Sequence, residues 1–141
     1  MKRSALCLGL LLGGAGNCLA MGLEEQFSGL ATCSIENVYL DAVTLKPRGE
    51  YFTERNLEPC RMDEAAHYCL SERFHGLKVS SIVIPFRGPF SVHGLFLSAS
   101  VETVRKTLGP DYDGDGLSKP ILAKDPKNPE GSMLYCDPQS Q

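Results

Sequence analysis

The sequence predicts an exported α+β domain: an antiparallel sheet of about four or five strands with two helices packed mainly on one face, stapled by two disulfides. Three observations predict it. The chain opens with a secretory leader, four cysteines follow that leader, and the remainder alternates between strand-like runs and short stripes of helical period.

The leader is MKRSALCLGLLLGGAGNCLAMG. Lys2 and Arg3 precede an apolar, glycine-rich run from Ala5 to about Ala15, and Cys18-Leu19-Ala20 closes it, which is the pattern of a cleaved signal peptide. Acylation of Cys18 is the alternative, against which Asn17 stands where a small residue belongs. The run falls short of the roughly 20 apolar residues that cross a membrane, and no later segment approaches that length, so no membrane span is expected. Residues 1–20 are therefore set apart, and residues 21–141 form one domain. The chain carries 14 Lys+Arg and 17 Asp+Glu, a formal charge of −3; without Lys2 and Arg3 the count is 12 against 17, or −5. This acidic balance, with scattered positives and no basic cluster, excludes nucleic acid as the natural partner.

Cys33, Cys60, Cys69 and Cys136 remain after the leader. An even number of cysteines in an oxidising compartment reads as two disulfides, with free structural thiols as the alternative. Four cysteines allow three pairings. The C-x8-C spacing favours Cys60–Cys69, which leaves Cys33 to meet Cys136 and tie the first strand to the last.

Taken in order, residues 22–30 allow a short amphipathic turn through Leu23, Phe27 and Leu30. CSIENVYLDAV alternates as a strand does. LKPRGEYFTERNLEPC, punctuated by Pro47, Gly49 and Pro59, reads as a loop or edge hairpin. Residues 63–74 read as a helix, with Asp63 at its start, a stripe of Ala66, Cys69, Leu70 and Phe74, and Gly76 as its stop. LKVSSIVI and FSVHGLFLS, joined by FRGP, predict a hairpin. SASVETVRKTLGP predicts a helix: Ser98 or Ser100 caps it, Val101, Val104 and Leu108 form its stripe, and Gly109-Pro110 ends it. LSKPILA, demoted to an edge by Pro120, and SMLYC complete the sheet.

GLFLSASVETVRKTLGP, with the closing Leu134-Tyr135-Cys136, resembles the corresponding stretch of small exported domains of the beta-lactamase-inhibitor-protein and SmpA/OmlA type. The resemblance covers residues 94–136. It implies helices on one side of an antiparallel sheet and carries over no functional residue.

Candidate chemistry lies in three places. DYDGDG places Asp111, Asp113 and Asp115 at positions 1, 3 and 5 of an EF-hand-like loop, with Gly116 at the sharp turn and the Leu117 carbonyl at position 7, a donor set suited to calcium. Position 12, where a bidentate glutamate belongs, is Leu122, and position 8 is Ser118, so a solvated Asp/Gly turn is the competing reading. Cys69 with His67 or His75 could act as a nucleophile only with a free thiolate, which export disfavours, and a zinc site of His67, Cys69 and His75 is set aside because residues two apart on the expected helix point in different directions. Finally, Tyr51, Phe52, Phe86 and Arg87 place aromatics and a cation in loops, where they anchor protein interfaces, with core filling as the alternative for such aromatics. No catalytic motif surrounds the three histidines. The expectation is a non-catalytic periplasmic or secreted domain that binds another protein, as an inhibitor or an immunity protein against a toxin or hydrolase. A calcium-stabilised accessory domain and an envelope-assembly component are the alternatives.

Overall fold

The computed structural model describes residues 19–86 and 92–137. Residues 1–18 of the expected leader, Arg87 and Phe90 lie outside the described residues. In chain order the elements are α1 (Leu23–Gln26), β1 (Tyr39–Leu40), β2 (Pro47–Arg48), α2 (Glu50–Glu54), β3 (Arg61–Met62), β4 (Ala65–Phe74), β5 (Leu77–Pro85), β6 (His93–Leu97), α3 (Val101–Leu108), β7 (Ile121–Lys124) and β8 (Ser132–Cys136). Six strands form one sheet in the order β3-β4-β5-β6-β8-β7, and β1 and β2 form a separate two-stranded ribbon. Every pairing between these strands is antiparallel. The α+β class and the antiparallel sheet match the expectation; the main sheet has six strands rather than four or five, and three α-helices replace two.

The largest departure is residues 63–74, which form strand β4 and not a helix. Ala66, Leu70 and Phe74 recur every fourth residue, a spacing that lies on one face of a helix and equally on one face of a strand. Tyr68 separates the two: it is buried, as period two requires, while Cys69, Ser71 and Arg73 are exposed. Gly76, read as a helix stop, is instead half of a two-residue hairpin turn. His75 (φ 47°) and Gly76 (φ 82°) are both left-handed, the geometry that suits the twist of the flanking strands, and Phe74 pairs with Leu77 across the turn.

Two further expectations change. The first strand shrinks to Tyr39–Leu40, paired with Pro47–Arg48 outside the main sheet, and Cys33 ends a 3-10 turn rather than opening a strand. The supposed loop around residue 50 contains α2, whose Tyr51 and Phe52 are buried.

Other elements form where expected. Ser100 caps α3, its Oγ accepting from the Thr103 N–H at 3.2 Å, and Gly109 ends the helix at φ 82°. β5 and β6 pair as a hairpin, and β7 is an edge strand.

The core lies on one face of the sheet. Tyr68, Phe74, Ile82, Ile84, Leu95, Leu97 and Leu134 from the strands meet Leu23, Phe27, Leu30, Tyr51, Phe52 and Val104 from the helices and the first turn in a single cluster. A four-residue helix such as α1 has no stability of its own; burial of Leu23, Phe27 and Leu30, worth roughly 1.5–3 kcal/mol per side chain, holds it in place. Both expected disulfides are present: Cys33–Cys136 with Cα atoms 5.4 Å apart and Cys60–Cys69 with Cα atoms 5.8 Å apart. Among the described residues no helix is long and apolar enough to cross a membrane.

Candidate functional site

Strand alternation gives the sheet a second face, and its residues stand outside the core cluster. From β5 comes Val83, from β6 Gly94 and Phe96, and from β8 Met133 and Tyr135, all in register across neighbouring strands: Val83 opposes Gly94, Gly94 opposes Tyr135, and Phe96 opposes Met133. Phe96, Met133 and Tyr135 are half-buried although, among the described residues, no helix packs them into the core cluster. Together with Pro85, Val92 and Leu95 they line an open trough of about 660 Å³. Gly94 is required here, because a Cβ at that position would stand 2.9 Å from the Tyr135 Cβ. Any larger residue would push the tyrosine out of the face.

One end of the trough is polar. Asp63, Glu64, His67 and Asp137 line it. The His67 ring is positioned by β4 and held by two neighbours: Nε2 lies 3.0 Å from Asp63 Oδ1, and Arg61 Nη2 lies 3.1 Å from Nδ1 and 3.0 Å from Nε2. Arg61 Nε also reaches Asp63 Oδ2 at 3.2 Å. The backbone N–H of Ala65, then His67 and Arg61, holds the Asp63 carboxyl below the usual carboxylate range. His67 and Phe96, with ring centroids 6.3 Å apart, form a ridge. Beyond it lies a second hollow lined by the Cys60–Cys69 bridge, Ser80, Ser81, Asp125 and Lys127.

The residues singled out from sequence fall elsewhere. Tyr51 and Phe52 are 2% and 0% exposed and belong to the core, so they are not loop anchors. The reason is α2, which turns both rings inward: Phe52 packs edge-on against Tyr68 at 4.9 Å, and the Tyr51 hydroxyl donates to Glu72 Oε2 at 3.0 Å. Burial, and after it Glu72, pushes the Tyr51 pKa up. Phe86 is half-buried against the same core, and Arg87 lies outside the described residues.

The three aspartates of DYDGDG each have a separate partner. Asp111 pairs with Lys119 at 2.9 Å, Asp113 with Arg105, and the Asp115 carboxylate accepts from the N–H groups of Leu117 and Ser118, which lower its pKa. Among the described residues no group of three or more His, Cys, Asp or Glu side chains is placed to hold a metal ion. Cys69 is bound in its disulfide, which removes it as a thiolate nucleophile or ligand. The other histidines lie far apart in role: His75 sits exposed on the β4–β5 turn beside Glu24, and His93 is buried with Nε2 donating to the Val38 carbonyl at 2.6 Å.

No family model matches the chain, and neither a curated protein nor a solved structure does.

Sequence reading missed the open face entirely. The signal was present in GLFL and SMLYC, whose strands carry apolar residues at successive positions rather than at every second one. Such strands are covered on both faces or await cover on one.

Proposed function

We propose that the protein is a non-catalytic, exported binding domain that recognises another protein through the open face of its main sheet, as an inhibitor or an immunity protein does. One observation carries the reading: Phe96, Met133 and Tyr135 form a contiguous apolar surface that no element of the chain's described part covers. Aromatic and methionine side chains are enriched in the centres of protein interfaces, and a patch of this kind rimmed by polar groups marks an interaction site. The two disulfides support an oxidising compartment, periplasmic or extracellular.

A photo-crosslinking residue at position 135, expressed in the native host, tests the proposal. It should give one discrete protein adduct that is absent when the crosslinker stands at exposed Lys106 on α3 and is lost on Phe96→Asp. The purified adduct partner should lose its activity when the domain is added. Adducts that are equally abundant at positions 135 and 106 would remove the open face from consideration.

A further inference from the structure

The start of the fold is fastened across its two shortest helices. Leu19 and Ala20 stand exposed and belong to no element, whereas Leu23, the first residue of α1, is buried in the core. The chain is caught between them. The Met21 backbone N–H donates to Glu54 Oε2 at 3.0 Å, across 33 positions of sequence. Glu54 is the last residue of α2, so this bond joins the start of one helix to the end of the other. A second bond runs between the same helices, from the Tyr51 N–H to Gln26 Oε1 at 3.0 Å. Among the described residues Glu54 is in no salt bridge. A full carboxylate therefore faces a neutral amide.

We infer that the chain is a precursor cut between Ala20 and Met21, and that the α-ammonium released at Met21 is a structural group that pairs with the Glu54 carboxylate and fastens α1 to α2. Cys18 and Ala20 are the small residues, one apart, that mark the cleavage site of a secretory leader, and exposed residues outside any element are where proteases cut. Water adds across the peptide bond: its oxygen joins the Ala20 carbonyl carbon, the C–N bond breaks, Ala20 leaves as a carboxylate and Met21 keeps its nitrogen as an ammonium. An α-amine titrates near about 7.7–8.0, so it is cationic at neutral pH. The bond already in place then becomes charge-assisted, the stronger kind. With four residues α1 has no stability of its own, so a tie at its first turn matters more than it would on a long helix. This inference rests on the expected leader and stands apart from the protein-binding reading.

The test begins with the full chain expressed with its own leader and recovered after export. Intact mass and N-terminal sequencing should find Met21 as the first residue; any other first residue would overturn the assigned cut. The pairing is read by melting two forms, the mature chain and one made to begin at Leu19, in which the Met21 nitrogen stays an amide. Glu54→Gln, an exposed and nearly isosteric change, should lower the melting temperature of the mature chain by about 3 °C and that of the Leu19 form by less than about 1 °C, the scale of one exposed ion pair in a domain of this size. Circular dichroism checks that all four proteins are folded. Equal shifts in the two forms, or no shift in either, would overturn the ammonium pair while leaving the cut in place.

Discussion

Two buried side chains show how single polar atoms set local stability. Tyr68 is 1% exposed, and among the described residues its hydroxyl has no hydrogen-bond partner; burial pushes its pKa up to about 12. Tyr68→Phe deletes the stranded hydroxyl and keeps the ring against Phe52. Urea unfolding should show a gain of about 1 kcal/mol, since an unsatisfied buried donor costs that much or more; an equal loss would mean that the hydroxyl is satisfied. His93 behaves differently. Burial holds its pKa below the ordinary imidazole value, against the opposing pull of its bond to Val38. The unfolded chain therefore takes up a proton at higher pH than the folded chain, so this group leaves stability untouched above about pH 6.5 and erodes it as pH falls from there through the folded pKa. Urea midpoints at pH 7.5 and pH 5.0 should differ more in the wild type than in His93→Gln; equal differences would show that His93 titrates alike in both states. At this scale the sequence was a partial guide. Cysteine spacing gave both disulfides because few other groups compete for that role. Aromatics such as Tyr51 and Phe52 read as surface anchors because their burial depends on α2, which a stretch flanked by Gly49 and Pro59 conceals.

Elements were legible where local and tertiary preferences agree. In α3 the cap, the stripe and the terminal glycine all point to one helix, and the helix is there. β4 was misread because a four-residue apolar spacing serves both periods, and its pairing with β5 over nearly its whole length decided the outcome. The DYDGDG segment is held as a turn by backbone bonds from Gly114 N to Pro120 O and from Gly116 N to Lys119 O, both 2.7 Å. Its carboxylates act as separate surface partners, so millimolar calcium should leave the melting temperature unchanged. Asp111→Asn with Asp113→Asn should cost no more than about 1 kcal/mol per exposed ion pair lost. A calcium-dependent rise of several degrees, absent from the double variant, would show that the loop rearranges into a cage. The open sheet face was the least legible element of the candidate site. Sequence places Phe96, Met133 and Tyr135 on strands, but only the register of β6 against β8 makes them neighbours.

Over the whole molecule, the two disulfides enclose very different lengths of chain, with sequence separations of 103 for Cys33–Cys136 and 9 for Cys60–Cys69. In the chain-entropy account the long loop contributes roughly 4.7 kcal/mol and the short one about 2.6 kcal/mol. Replacing Cys33 and Cys136 with serine should therefore lower the denaturation midpoint more than replacing Cys60 and Cys69, and the reverse order in urea titrations would show that native-state geometry outweighs loop length. The long bridge also changes how the molecule bears a load. It joins residue 33 to residue 136 with their Cα atoms 5.4 Å apart, so tension applied at the two ends of the described chain runs through two sulfur atoms and bypasses the sheet. While the bridge stands, only the stretch before Cys33 can be peeled away under force. Reduction would release the closed loop, whose two cysteines are separated by 103 positions in sequence, about 350 Å of extended chain, and the domain would pass from an inextensible clasp to a long tether.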